Sequence, residues 1–455
     1  MLNKFTDLPV KKLPPAPPII KLLGPSFIIL GLGLGSGEVV LWPYLASQYG
    51  LGLIWGAILG LSLQFIINLE IERYTLAYGE SIFVGYARKW RRLPLWFLIS
   101  TFIPWMWPGI AAASASLVGH VFGISEIQYI GIGFLVVMGL ILSLGPVLYK
   151  TVESLQKGLI LIGVPSIMVI SVWLAQPADW GAAVAGLVGQ GEGFWWLPAG
   201  ISLAAFLAAL AYSGAGGNLN LAQSFYIKEK GFGMGRYAGR ITGLITGTTH
   251  ENVSLEGHRF TITPDSIATF KLWWRRINIE HFVVFWLTGS ITIVLLSLLA
   301  YTTVFKAGGT TATFAFVIAE AGVIGERLLP AVGTFFLLVV ALTLFGTQLT
   351  VFDASSRIIA ENAVLAAPNK LRSHHIRPLY IWCFGVLLYG HTSVYGRFYP
   401  ATAAHNLGCR AQRLCHVCAL WTNIMAQYDS PTPANWSQFL ANSGSSYRLS
   451  VLWCV

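Results

Sequence analysis

Gly31-Leu32-Gly33-Leu34-Gly35-Ser36-Gly37-Glu38 lies inside an apolar run from Pro25 to Ala46. Four glycines and a carboxylate are out of place in an ordinary membrane-spanning helix. Each glycine weakens a helix by roughly 1 kcal/mol against alanine. A glutamate near a bilayer centre costs about 2.5 kcal/mol or more unless it faces a cavity or a partner. Glu38 stands 14 residues beyond Gly24, which is about 20 Å of helix and so mid-membrane depth. A second interruption, Tyr212-Ser213-Gly214-Ala215-Gly216-Gly217-Asn218-Leu219-Asn220, falls near the middle of the chain. Glycine-interrupted hydrophobic segments at matching places in two halves point to the substrate site of an inverted-repeat transporter.

Composition agrees with a bilayer setting. The 455 residues are 55% hydrophobic and 11% charged, with 17 Trp, whereas soluble domains carry about 25% charged residues. Several apolar runs are long enough to cross about 30 Å of hydrocarbon. These features predict an all-α polytopic membrane protein and exclude a soluble enzyme, which would have to hide every run in one core. Apolar windows place eight helices near 25–46, 51–69, 95–119, 127–146, 157–175, 197–225, 281–304 and 328–350.

The formal charge of +10 does not indicate nucleic acid, because the basic residues alternate by loop. The N-terminal tail and the connections on its side of the membrane hold 23 Lys and Arg, against Lys306 and Arg327 on the other side. That asymmetry predicts a multi-pass protein of the plasma (inner) membrane with a cytoplasmic N-terminus. No cleavable signal is visible: Lys4, Lys11 and Lys12 precede Pro14, Pro15, Pro17 and Pro18, a short extended tail before an uncleaved first helix. Lys89-Trp90-Arg91-Arg92 and Trp273-Trp274-Arg275-Arg276 read as interfacial anchors in contact with lipid headgroups.

Three segments follow. Residues 1–23 form a cytoplasmic Pro-rich tail, 24–370 the transmembrane domain, and 371–455 a tail of different character. That last segment holds all five cysteines and five of the nine histidines. Residues 379–390 offer at most part of a ninth helix. Cys409, Cys415, His416 and Cys418 resemble a zinc cluster only loosely, since a lone Cys-x-x-Cys lacks its partner pair. The abrupt compositional break reads as a frameshifted or degraded terminus.

Glu38 is the residue that carries chemistry on this reading. The glycines let its helix unwind and expose carbonyl oxygens that can coordinate a cation. Carboxylate plus carbonyls make a hard-oxygen site suited to alkali or alkaline-earth ions or Mn²⁺; the competing reading is a neutral or paired carboxyl used for packing. After the second break, Asn218, Asn220 and Gln223 offer neutral amide oxygens, and Tyr212 and Ser213 offer hydroxyls. Interhelical hydrogen bonding is an equal alternative for these. Gln348 is a weaker candidate. Asp353 and Arg357 are spaced to pair with each other at i, i+4. Glu70, Glu72 and Glu80 are expected to be solvated or paired with Arg73. His250, Glu251, Glu256 and His258 share a polar loop and read as solvated. With Glu38 the single ionisable group at membrane depth, no pair of reactive groups converges as an enzyme would need.

Gly24-Pro25-Ser26-Phe27 followed by Gly35-Ser36-Gly37-Glu38, with Gly50, Trp55 and Gln64 beyond, resembles the first helices of the NRAMP divalent-metal transporters. The resemblance spans about residues 24–370. The family's Asp-Pro-Gly-Asn motif falls on Gly35, Ser36, Gly37 and Glu38, and its Met-Pro-His-Asn motif on Ala215, Gly216, Gly217 and Asn218. It implies the LeuT-type fold, in which two inverted repeats hold substrate between discontinuous first and sixth helices. It also implies a metal site at Gly35, Glu38, Ala215, Asn218, Asn220 and Gln223, served by no cofactor. The motif identities depart from the family. Gly35 replaces its metal-binding Asp, Glu38 its Asn, and Ala215 its thioether Met. Trp107 and Ile110 stand where its proton-handling carboxylates would be, and Ala222 where its sixth-helix His would be. The resulting expectation is a secondary-active carrier of a divalent cation, Mg²⁺ or Mn²⁺, in the lipid bilayer. The alternatives are a small organic solute carried on the same fold, or an inactive member.

Overall fold

A computed structural model describes residues 7–397 apart from 108, 146, 242–253 and 309–314. The first hydrophobic segment splits into α1 (Pro25–Gly33) and α2 (Trp42–Tyr49), joined by Leu34, Gly35 and a π-helical turn over Ser36–Leu41. The two halves are bent by 41°. α3 (Ile54–Tyr78) follows, then the short α4 (Ile82–Lys89). A third span is built from α5 (Leu93–Phe102) and α6 (Gly109–Phe122). α7 (Ile127–Leu144), α8 (Leu148–Leu174) and the surface helix α9 (Pro177–Leu187) lead to a second broken segment. It comprises α10 (Leu203–Ala211), α11 (Gly217–Leu221) and α12 (Gln223–Lys230). α13 (Pro264–His281) runs through a π-helical turn (Phe282–Leu287) into α14 (Thr288–Thr303). α15 (Ala315–Arg327), α16 (Pro330–Ala366) and α17 (Ile376–Arg397) complete the described residues.

Local chemistry sets these boundaries. Ser202 and Thr263 cap α10 and α13 by accepting from the backbone N–H of Ala205 and Ser266 at 3.0 and 3.2 Å. Prolines occupy first-turn positions of α1, α13 and α16, where a missing N–H costs nothing. Among the described residues, six helices are long and apolar enough to cross a membrane, or seven if α1 and α2 count as one bent span. The segment placed at 197–225 does not qualify as one long helix because it breaks into α10, α11 and α12 at the interruption expected over Tyr212–Asn220. Val136, Val137 and Leu140 on α7 and Leu161, Ile162, Met168 and Trp173 on α8 stand exposed, as lipid-facing rows do.

Association of such helices depends on close backbone approach rather than on hydrophobic burial, because lipid is as apolar as leucine. Gly33 and Gly37 meet that need. A Cβ on Gly33 would lie 2.9 Å from the Gly214 Cα, and one on Gly37 would run into the Tyr212 carbonyl oxygen. The two broken segments therefore touch backbone to backbone.

The Pro-rich tail is an extended strap. Lys11 N–H donates to the Arg259 carbonyl at 2.8 Å, and Arg259 N–H donates to the Pro9 carbonyl at 3.0 Å. The expectation that Trp273-Trp274-Arg275-Arg276 anchors the chain in lipid fails for Trp273 and Arg276, while Arg275 is exposed. Trp273 is buried and its indole N–H donates to the Pro14 carbonyl at 2.7 Å. Arg276 donates to the carbonyls of Ala16 and Pro17 at 2.5 and 2.7 Å. Both side chains hold the strap, which lacks enough N–H donors of its own. Lys89-Trp90-Arg91-Arg92 differs: Arg91 and Arg92 are exposed.

At the other end of the chain, α17 extends past the 379–390 window and packs on α16, with the Tyr380 hydroxyl donating to Asp353 Oδ1 at 2.9 Å. Cys409, Cys415, His416 and Cys418 lie outside the described residues, as do His250 and Glu251.

Candidate functional site

The π-helical turn carries Glu38 to the meeting point of the two breaks. Its side chain is fully buried, and neither carboxylate oxygen has a hydrogen-bond partner. Glycines from two other places lie beside the carboxylate, and a third backs one of them. Oε1 lies 2.8 Å from where a Cβ on Gly33 would stand and 3.6 Å from one on Gly289 of α14, and Gly214 touches Gly33. Small residues leave room around the oxygens while supplying no N–H or hydroxyl to them. An ionised carboxylate in such surroundings is costly unless a cation or proton compensates it. A cavity of about 10 Å³, room for about one water, adjoins the break between Leu34, Val39, Gln156, Thr292 and Thr343.

Gly35 faces α16, where a Cβ would collide with Thr347. The Thr347 hydroxyl donates to the Gly31 carbonyl at 2.7 Å. Gly31 is the residue whose oxygen the break would otherwise leave bare.

The second break is held by Gln64, a residue that the sequence reading quoted for the resemblance but gave no role at the site. The Gln64 amide on α3 donates to the Ala211 carbonyl at 2.9 Å. Its oxygen accepts from Gly216 N–H at 3.1 Å and from the Asn220 amide at 2.9 Å. One side chain thus satisfies the last carbonyl of α10 and the backbone N–H just before α11. The Trp42 indole donates to Ser213 Oγ at 2.8 Å. Gly216 has φ 69°, a backbone that favours glycine.

The six predicted site residues share one region but not one pocket. Glu38, Gly35 and Ala215 belong to the two breaks. Asn220 is bound to Gln64, with its own Oδ1 unpartnered. Asn218 turns to α5 and donates to Ser100 and Thr101 at 2.8 and 2.9 Å, again leaving Oδ1 without a partner. Gln223 sits apart from Glu38 and donates to Glu72 Oε1 at 2.6 Å. Among the described residues no three His, Cys, Asp or Glu side chains converge as metal ligands, so a cation at Glu38 would be completed by neutral oxygens.

Other carboxylates also differ from expectation. Glu70 pairs with Arg73, but Glu72 and Glu80 are buried and not paired with it. Glu80 binds Arg88, and Glu72 lies 3.3 Å from His281 Nδ1. Glu38 is therefore not alone: Glu72, Glu280 and His281 are buried within spans too. The Asp353–Arg357 pair forms as spaced, at 2.9 Å, and Arg357 additionally binds Glu229 of α12. Gln348 approaches His391 of α17 at 3.4 Å.

No protein-family model matches the chain, and no curated protein does. Solved structures do. Mhp1, a nucleobase-cation-symport-1 family transporter in a closed conformation with bromovinylhydantoin bound, is 11% identical. The match covers 93% of this chain and 80% of that one, with a TM-score of 0.52. A variant of the Eremococcus coleocola manganese transporter is 13% identical over 98% of this chain and 95% of that one, with a TM-score of 0.52. The same transporter in complex with an aromatic bis-isothiourea substituted compound gives a TM-score of 0.53 at the same identity and coverage. These neighbours are LeuT-fold transporters. The all-helical architecture, with its first and sixth segments broken at facing points, is the LeuT-type fold.

Proposed function

We propose that the chain is a secondary-active transporter that carries a divalent metal cation, Mg²⁺ or Mn²⁺, across the membrane by alternating access. The observation that carries this reading is Glu38: a fully buried carboxylate with both oxygens unpartnered, at the point where the two broken segments meet. Glu38 supplies the charge, and backbone carbonyls of the unwound turns supply neutral oxygens. The absence of a thioether at Ala215 favours a hard cation. The manganese transporter among the neighbours supports the substrate class only by analogy of fold.

Orientation follows the charge asymmetry, with the N-terminus inside a plasma (inner) membrane. The strap's bonds to Arg259 support placing the tail and the basic sixth-to-seventh connection on one side.

A small organic solute is the second reading. It is favoured by the aromatic rings near the second break, where Phe206 meets Trp42 edge-on at 6.3 Å and Trp55 at 5.3 Å. Uptake of Mg²⁺, Mn²⁺ and Ca²⁺ into proteoliposomes, for wild type and Glu38→Gln, tests the proposal. Cation uptake that is abolished in the variant is expected. Lack of uptake of any of the three ions would overturn the metal reading and leave the organic solute.

A further inference from the structure

A third element closes on the two breaks. α13 passes into α14 through the π-helical turn Phe282–Leu287, a counterpart of the π-helical turn that carries Glu38. Such turns insert one extra residue into a helix and recur at functional sites. Phe285 in the turn and Gly289 and Thr292 after it stand four and seven residues apart, a spacing that shares one helix face. Each meets a different part of the site. Phe285 Cζ lies 3.2 Å from where a Cβ on Gly214 of the second break would stand. Gly289 lies beside Glu38 Oε1, and Thr292 lines the cavity next to Leu34 and Val39.

Gly289 has no side chain at the point where this face meets the carboxylate, and glycine in a helix interior is disfavoured against alanine. Close packing does not account for it. A Cβ on Gly289 would lie 3.1 Å from Leu61 Cδ2, 3.3 Å from Leu30 Cδ1 and 3.6 Å from Glu38 Oε1. Those neighbours are the tips of side chains, which give way by a few tenths of an ångström. Gly33 is different. A Cβ there would lie 2.8 Å from the same oxygen and 2.9 Å from the Gly214 backbone, so no methyl fits. What an alanine at Gly289 would remove is the clearance beside Oε1.

We infer that Gly289 is a specificity-determining residue of the cation site, keeping open the space beside Glu38 Oε1 in which the ion and its remaining ligands stand. The inference rests on the Glu38 reading proposed above. A cation held by a carboxylate oxygen lies about 2.0–2.1 Å from it for Mg²⁺ and about 2.3–2.6 Å for Ca²⁺. The Gly33 side of Oε1 is shut by the Gly214 backbone, so the Gly289 side is the roomier approach. A methyl carbon 3.6 Å from Oε1 would overlap an ion bound there or the oxygens around it. Ca²⁺ takes about six to eight oxygens at the longer distance, whereas Mg²⁺ is a compact octahedral ion. Loss of this room therefore penalises the larger ion more.

Titration calorimetry of the full chain in lipid nanodiscs with MgCl₂, MnCl₂ and CaCl₂, alongside ion-free thermal unfolding, tests this. Gly289→Ala is expected to keep the ion-free unfolding temperature of wild type and to raise the Kd of each bound ion about tenfold, as one extra methyl in a packed site does. Ca²⁺ should lose more than Mg²⁺. Gly289→Ser places a hydroxyl within reach of Oε1. It should also weaken ion binding, yet unfold at a higher ion-free temperature than Gly289→Ala, because the carboxylate gains a donor. Gly133→Ala, where a Cβ meets nothing within 4 Å, should leave every Kd unchanged. Ion binding left intact by Gly289→Ala, an equal loss for Ca²⁺ and Mg²⁺, a loss matched by a fall in ion-free unfolding temperature, or the same loss in Gly133→Ala would overturn this inference alone. A wild type that binds none of the three ions would remove the Glu38 reading and this inference with it.

Discussion

The two helix breaks are alike in sequence and opposite in chemistry. Both are glycine-rich, both interrupt an apolar run, and their backbones touch at Gly33–Gly214 and Gly37–Tyr212. At the second, Gln64 meets both helix ends as well as Asn220. At the first, Thr347 satisfies one carbonyl and the carboxylate of Glu38 is left with nothing. At the second break the helix ends are satisfied and only neutral amide oxygens of Asn218 and Asn220 are left over, whereas the first holds a carboxylate that is unfinished until something binds. Rigid support beside an incomplete coordination shell is what a binding site needs.

Gln64→Leu gives the sharpest test of the scaffold half. It would orphan the Ala211 carbonyl, the Gly216 N–H and the Asn220 amide, each costing about 1–3 kcal/mol when buried. The expected loss is therefore about 4 kcal/mol, read as a large drop in thermal unfolding temperature of the purified protein. Near-wild-type stability would mean that the second break does not depend on this staple. Asn218→Leu comes next. It removes two bonds that tie the sixth segment to α5 and should cost about 2 kcal/mol, seen in the same unfolding assay. The smallest effect is expected from Thr347→Val, which leaves the Gly31 carbonyl bare at a cost of about 1 kcal/mol. If that carbonyl serves the bound cation, the variant should change cation affinity more than it changes unfolding. A change confined to stability would make the first break as purely structural as the second.

How far this contrast could be read in advance depended on whether a signal was local. Glu38 was legible because charge and helix-breaking glycines coincide within eight residues. The second break was visible for the same reason, through Tyr212–Asn220. Gln64 was not, because one amide in a long apolar helix looks like any interhelical contact until its partners, 147 to 156 residues away, are in place. The Glu72–His281–Glu280 cluster was hidden differently. α13 is rich in Arg, Trp and Lys, so its residues read as loop, and His281 fell on the edge of the predicted 281–304 span. Trp273 and Arg276 looked like lipid anchors because nothing local reveals that the proline-rich tail would lie across them.

The central claim is that the first break binds a cation through Glu38 while the second only shapes it. The most direct measurement is the thermal unfolding of wild type and Glu38→Gln in increasing MgCl₂, MnCl₂ and CaCl₂. Ligand that binds the native state alone raises stability by about 2.7 kcal/mol at a hundredfold excess over Kd. Wild type should be stabilised by at least one of the three ions. Glu38→Gln, freed of an unpartnered buried charge, should start at equal or higher stability and not respond. An equal rise in both proteins would contradict the account, because the cation would then bind without Glu38.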